Sequence, residues 1–211
     1  SLGLVVSVLG QEENHFPGYT VYRGEVDDIG RTAFTLDSYR TFSDGSWSSR
    51  RRRESDDLGL SRDTVILSLL EDQPAQLTID QFRQGMWQDR YDDAEVLAVT
   101  EDSDTLGLAL WPDGELDAAR LSKAQVVAVT ESKAPSEDAA TGPVNVVLRN
   151  VADFSSSKET WQNAEAEDEL RASQALVIKN GRAATGKALT AGDDIVLLRR
   201  GETVLLAWVK E

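Results

Sequence analysis

Short alternating apolar segments constrain the fold of this chain most strongly. Ala94–Glu101 (AEVLAVTE) recurs almost unchanged as residues 124–131 (AQVVAVTE). Both copies are rich in β-branched residues and alternate in character, which predicts strands. Similar apolar runs follow at residues 144–148, 175–179, 195–198 and 204–209. The sequence therefore predicts a mainly β protein.

The recurrence itself has two interpretations. It can be a coincidence between two similar strands, or an internal duplication of one hairpin. A solenoid or propeller would need at least about three such units, and only one clear pair is present.

Turn residues and composition predict two β-rich units, of sandwich or barrel type, with one or two short helices. Residues 132–143 are rich in Ser, Ala, Pro, Gly and acid, which is typical of a linker. We therefore expect an N-terminal domain over residues 1–131, a linker over 132–143 and a small, barrel-like C-terminal domain over 144–211.

Several local patterns are specific enough to predict single elements. Thr78 followed by Gln81 is a capping box that predicts a short helix. Asn180-Gly181 predicts a two-residue hairpin turn, and Pro112-Asp113-Gly114 predicts a turn. The composition of residues 157–172 favours a second helix, anchored by Trp161. Early strands are predicted at residues 4–9, 19–26, 33–42 and 64–70, and the second and third of these are close enough to form a hairpin.

Charge and composition limit the classes of partner. The 211-residue chain carries 37 acidic and 22 basic residues, a net charge of −15. A field of this sign repels phosphate backbones, so nucleic-acid binding over a broad face is disfavoured. No segment has the roughly 20 apolar residues that span a bilayer, and residues 2–9 favour a strand over a signal peptide, so no membrane partner is expected.

Catalytic, cofactor and metal sites are not predicted. The chain has no cysteine and one histidine, His15, which leaves no thiolate nucleophile and almost no conventional zinc ligands. His15 lies in a predicted loop without the surroundings of a catalytic triad. Residues 181–188 end in Gly-Lys but lack the hydroxyl residue of a phosphate-binding loop.

Acidic clusters support a weaker alternative. Two carboxylates can hydrolyse glycosides when they lie roughly 5 to 9 Å apart, and the hard oxygens of Asp102 and Asp104 would suit calcium, although the other ligands of an EF-hand loop are missing. The clusters are Asp27-Asp28, Asp56-Asp57, Glu71-Asp72, Asp89 with Asp92-Asp93, and Asp102 with Asp104.

Four consecutive arginines, Arg50, Arg51, Arg52 and Arg53, form the sharpest local feature. Their guanidinium groups could bind an acidic surface of another subunit. They could equally form a solvated loop that is neutralised by the acids of residues 54–57. We take them as the candidate interaction site.

Two passages resemble components of tailed-phage tails and baseplates. Residues 22–26 (YRGEV) followed by residues 31–36 (RTAFTL) are similar to the β-hairpins that such proteins stack around a tail axis. Residues 80–85 (DQFRQG) and 91–96 (YDDAEV) resemble a tail-hub segment, although residues 86–90 separate the two parts here. The resemblance covers under a fifth of the chain and implies a structural virion protein with no catalytic residues.

The leading hypothesis is a non-enzymatic structural or assembly protein, a multi-copy virion component that contacts copies of itself and other structural proteins. If the resemblance does not hold, a cytoplasmic location is expected. The second hypothesis is an OB-type barrel near residues 143–211 that binds a single nucleic-acid strand or another ligand, and the third is a carboxylate-pair hydrolase. The residues that would serve the OB-type barrel are Trp161, Trp208, Lys179, Arg182, Lys187, Arg199 and Arg200.

Overall fold

The computed structural model describes residues 15–50, 54–132 and 142–211, and it confirms a mainly β fold built from two sheets. The first sheet precedes the second along the chain. Its elements are β1 (Thr20–Ile29), β2 (Ala33–Ser43), β3 (Ser46–Trp47), β4 (Ser55–Gly59), β5 (Val65–Ser68), β6 (Ala75–Leu77), α1 (Ile79–Trp87), β7 (Ala94–Glu101) and β8 (Asp104–Pro112).

Strand pairing closes the first sheet into a ring, which we call the N-terminal barrel. The ring runs β1-β2-β4-β8-β7 and returns to β1. Its closing contact is parallel and short, with Gly59 of β4 beside Asp104 of β8. Next to this contact, β5 continues the parallel pairing along β8, and β6 folds back on β5.

The second sheet also closes into a ring, which we call the C-terminal barrel. The ring runs β9-β10-β11-β15-β14 and returns to β9, with a closing parallel contact between Arg171 and Thr203. Its elements are β9 (Arg120–Glu131), β10 (Val144–Ser155), β11 (Thr160–Arg171), β12 (Leu176–Lys179), β13 (Arg182–Thr185), a 3-10 turn (Gly186–Ala188), β14 (Asp194–Arg200) and β15 (Thr203–Val209).

The two barrels have the same topology in the same chain order. Strands β1, β2, β4, β5, β6, β7 and β8 correspond to β9, β10, β11, β12, β13, β14 and β15. Every pairing of one set recurs in the other with the same direction, including the parallel contacts of β8 and β15. The chain is therefore a structural duplication.

The pairing register is also shared. Val26 pairs with Leu36 in the first hairpin, and Val126 pairs with Leu148 in the second. Both hairpins have bulges on either side of this pair, at matching positions. The bulge nearer the hairpin's open end contains a residue in the left-handed region, Ser38 (φ 49°) in β2 and Asn150 (φ 54°) in β10. A bulge with its own backbone conformation is a specific feature, so its recurrence extends the duplication to the level of single residues.

The order of the ring strands is that of an OB-type barrel, a five-stranded Greek-key ring. In the N-terminal barrel, α1 lies between the third and fourth ring strands, and the 3-10 turn takes the same place in the C-terminal barrel. The C-terminal ring includes β9, so it begins well before residue 143.

Three apolar cores hold the molecule together. Alternation along β7 directs Val96 and Ala98 into the N-terminal barrel, while Leu97 and Val99 face outward. Along β14, Ile195 and Leu197 point into the C-terminal barrel in the same way. The outward side chains of both barrels meet in a third cluster, which we call the interbarrel core.

Equivalent positions of the two barrels supply this interbarrel core. Leu97 and Val99 of β7 have Val196 and Leu198 of β14 as their counterparts, and all four are buried there. The barrels approach closely at Gly107, where a Cβ atom would lie 2.6 Å from Leu176 Cδ1. Like an isologous dimer interface, the contact uses the same patch twice.

The domain boundary differs from the one predicted. The sheets divide between β8 and β9, whereas the sequence predicted an N-terminal domain through residue 131. Residues 132–143 connect β9 to β10 within the second sheet, and most of them lie outside the described residues. Connections between strands of one sheet and linkers between domains share a polar composition, which explains the difference.

The recurring segments do not mark the duplication. Ala94–Glu101 is β7, whose counterpart is β14, while residues 124–131 belong to β9, whose counterpart is β1. Their burial also differs, because Leu97 is fully buried whereas Val127 is 39% exposed.

The prediction of a helix over residues 157–172 was wrong, because Thr160–Arg171 is β11. Its alanines and glutamates favour a helix locally, but pairing with β10 along the whole strand overrides that preference. The capping box at Thr78 and the hairpin at Asn180-Gly181 are confirmed. The predicted strand at residues 4–9 lies outside the described residues.

Candidate functional site

The arginine cluster is only partly described. Arg50 is exposed and forms an ion pair with Glu25 of β1 in the same molecule. Arg51, Arg52 and Arg53 lie outside the described residues. An exposed pair of this kind is worth about 0 to 1 kcal/mol, so Arg50 can exchange Glu25 for an acid of another molecule at little cost.

His15 lies within the interbarrel contact. It is 9% exposed, and its ring stands 4.5 Å from the ring of Phe154 and 5.5 Å from that of Trp161. This position predicts a packing role for the imidazole.

The acidic clusters do not converge. Asp102 and Ser103 form the tight turn between β7 and β8, with both residues at positive φ. Asp56 accepts a hydrogen bond from Tyr22, and Asp57 accepts one from Thr35. Within residues 15–50, 54–132 and 142–211, no group of three His, Cys, Asp or Glu side chains is arranged to bind a metal.

The aromatic and basic residues expected of a strand-binding OB barrel are mostly engaged in other contacts. Trp161 and Trp208 pack against the interbarrel core. Lys179, Lys187 and Arg200 form ion pairs with Asp193, Glu131 and Glu115, respectively, and Arg199 is buried. Arg182 remains exposed, so the structure does not assemble these seven side chains into one stacking surface.

A buried ion cluster lies on the outer face of the N-terminal barrel. Arg23 of β1 is 3% exposed and donates to both carboxylate oxygens of Glu95 on β7, at 2.7 and 2.8 Å. It also donates to Asp117, in the segment between the barrels, at 2.8 Å. Burial raises the pKa of Glu95, and the hydrogen bond and charge of Arg23 oppose this rise. The cluster therefore joins β1, β7 and the interbarrel segment.

A second buried cluster lies in the C-terminal barrel. Arg199 of β14 donates to Ser122, Asp153 and Asp168, which lie on β9, β10 and β11. Burial alone would raise the pKa of Asp153, but hydrogen bonds from Ser122 and Arg199 outweigh it and lower the pKa. The permanently charged guanidinium of Arg199 therefore cross-links four ring strands.

A cation stacked on a tryptophan recurs in both barrels. Arg23 lies 5.4 Å from the ring centroid of Trp47, and Lys123 lies 4.7 Å from that of Trp161. Each tryptophan pairs across strands with a phenylalanine, Phe42 or Phe154. The cations occupy equivalent positions of β1 and β9, so this motif belongs to the duplicated framework and contributes to its packing.

One side of β11 is both acidic and exposed. Glu165, Glu167 and Glu169 are exposed along this strand. A cleft of about 410 Å³ adjoins it, lined by Asn145, Asp168, Glu169, Leu170, Arg171 and Glu202.

Sequence reasoning missed this feature and both buried clusters. The alternating acids of residues 165–169 were included in the predicted helix 157–172, although a period of two favours a strand. Glu95 was detectable as a charge at the start of the mostly apolar strand β7.

Comparisons with protein-family models, curated proteins and solved structures return no match. Among the described residues, no helix has the length and apolar character to cross a membrane.

Proposed function

We propose that this protein is a non-enzymatic assembly protein, a rigid double barrel that is used in several copies and binds basic segments of neighbouring structural proteins. One observation supports this proposal most directly. The outward-facing apolar side chains of both barrels pack against one another in the interbarrel core. Among the described residues, Trp87 and Val127 are the only large apolar side chains that remain exposed. A chain with a net charge of −15 then attracts partners mainly by charge.

The basic segment of a neighbouring copy would be Arg50, Arg51, Arg52 and Arg53. Arginine suits this role because its planar guanidinium binds carboxylates in a bidentate manner. The resemblance to tail and baseplate proteins adds the expectation of many copies within a virion.

The test is sedimentation across a salt series. Replacing the four arginines with serine should weaken assembly and reduce its salt dependence, while the unfolding free energy of the monomer changes little, since exposed pairs contribute little to stability. The matched control replaces four arginines outside the cluster, Arg31, Arg62, Arg90 and Arg182, which are exposed, and it changes the net charge equally. Identical assembly curves for the two variants would show that the arginine cluster makes no specific contact. The proposal would be contradicted if the wild-type protein stayed monomeric and bound no basic protein.

A second candidate is a ligand-binding OB-type module, which the ring order of both barrels favours. Single-stranded oligonucleotides are the direct probe, measured by fluorescence anisotropy at low salt. We expect weak or no binding, because the field is acidic and the tryptophans of the C-terminal barrel pack against the interbarrel core.

A further inference from the structure

Strand β11 has a long open edge. It pairs with β10 over its full length, but on its other side it makes only the closing contact between Arg171 and Thr203. No other strand pairing of β11 occurs among the described residues. An exposed edge of this length presents backbone groups that can pair with another chain.

The direction of these backbone groups follows from one hydrogen bond. The Arg171 N–H donates to the Glu202 carbonyl at 2.7 Å, so the backbone groups of residue 171 point toward the open side. Alternation along the strand then directs those of Glu169, Glu167 and Glu165 to the same side. The pairing register between β10 and β11 is unbroken from Arg171 to Glu165, and the one register shift lies between Glu165 and Asn163.

The same three residues carry the exposed acids. Asp168 and Leu170 face the barrel, so Glu165, Glu167 and Glu169 place their carboxylates on its outer face. A strand added at this edge would place its own side chains directly opposite them, about 5 Å away. Lysine or arginine at every second position would be paired, whereas acids there would be repelled.

This charge pattern indicates which kind of strand can pair with the open edge of β11. Two copies of β11 paired edge to edge would bring three glutamates of one copy against those of the other, which is unfavourable. A symmetric contact with a second copy is therefore disfavoured, and a basic strand is complementary.

We propose that the open edge of β11 binds an extended segment of a partner protein, with Lys or Arg at alternate positions, as an added β-strand. This inference rests on the proposed function and identifies the surface and the form of the partner. The inward-facing side chains of the segment would meet the 410 Å³ cleft beside Asp168 and Glu202. Small polar residues such as Thr fit this partly charged cleft, so the recognised pattern alternates Lys and Thr.

The probe is a fluorescent seven-residue peptide, Thr-Lys-Thr-Lys-Thr-Lys-Thr. Two derivatives carry N-methyl groups either on the three lysine amides or on the amides of the threonines at peptide positions 3, 5 and 7. All three peptides have the same charge, but each methylated peptide can donate hydrogen bonds from only one edge. One derivative should bind like the parent and the other about tenfold or more weakly, as expected when several backbone hydrogen bonds are lost.

Variants of the protein test the same edge. Glu167→Pro removes an N–H that points to the open side and no ladder hydrogen bond, so the fold should persist while the parent peptide loses affinity. Replacing Glu165, Glu167 and Glu169 with Gln should reduce both the affinity and its salt dependence. The control of equal charge change replaces the exposed Asp27, Asp28 and Asp92 with Asn and should bind the peptide like the wild type.

Slowed amide hydrogen exchange at residues 165, 167 and 169 in the peptide complex would support the added strand. Equal affinity of the two methylated peptides would overturn it and leave charge-driven assembly standing. Absence of binding by all three peptides would also overturn the added strand. The proposed function is tested separately, by the sedimentation experiment across a salt series. Self-association of the wild type that Glu167→Pro abolishes would identify a second copy as the occupant and overturn the partner assignment.

Discussion

Buried charges at the residue level join the strands of each barrel. Arg23 is almost fully enclosed, and its partner Glu95 has a raised pKa because burial outweighs the favourable contact with the guanidinium. A buried pair of this kind adds little net stability, but removing one partner leaves an uncompensated charge.

Replacing Arg23 with Met should destabilise the protein by about 3 to 5 kcal/mol at pH 7. A group whose pKa is raised in the folded state stabilises it below the unfolded pKa and loses that contribution as the pH rises through the folded pKa. Loss of Arg23 raises the pKa of Glu95 further, so the penalty should be smaller near pH 4 than at pH 7. Urea unfolding at both pH values measures this difference, and the double replacement of Arg23 and Glu95 with Met should recover much of the loss. An equal penalty at the two pH values would contradict the assigned role of Glu95.

Equivalent elements of the two barrels share their irregularities. The β1–β2 and β9–β10 hairpins bulge at matching positions, with Ser38 and Asn150 in the left-handed region. Such a conformation costs a side chain with a Cβ atom about 1 to 2 kcal/mol, and most for a β-branched residue.

Valine at Ser38 or at Asn150 should therefore lower the unfolding free energy by about 1 to 2 kcal/mol, and by similar amounts at the two sites. Glycine should be neutral or stabilising at either site, because it adopts positive φ without strain. Denaturant unfolding of the four variants measures these changes. Valine at Ser55 and at Asn145, in regular strand, provides the control. Opposite effects at the two bulges would show that they are not equivalent.

At the scale of the whole molecule, the interbarrel core couples the two barrels. It contains buried residues from both sheets, among them Leu97 and Val99 of the first and Val196 and Leu198 of the second. Separating the barrels would expose this apolar surface, at a cost of about 25 cal/mol for each Å².

We expect a single cooperative unfolding transition by calorimetry, with agreement between the calorimetric and van't Hoff enthalpies. Leu97→Ala and Val196→Ala, at equivalent positions of this core, should lower the melting temperature of the whole molecule without splitting the transition. Two separate transitions in the wild type would show independent domains joined by a linker, as the composition of residues 132–143 suggested.

The sequence by itself determined the local structure. Alternating β-branched residues predicted β7 and most of β9, Thr78 and Gln81 predicted the start of α1, and Asn180-Gly181 predicted the β12–β13 turn. Each of these signals acts within a few residues, so it survives without knowledge of the partner strand. The acidic character of the chain is likewise a property of composition alone.

Only the tertiary structure decided how these elements combine. Arg23 forms its ion pair with Glu95, which lies 72 residues away in the sequence. Strand β11 forms because β10 pairs with it, although its local composition favours a helix. Such pairing between residues far apart in the sequence decides the closure of each ring, the boundary between β8 and β9, and the open side of β11. Many sequences satisfy the same burial pattern, so the two barrels share a topology while few of their aligned residues remain identical.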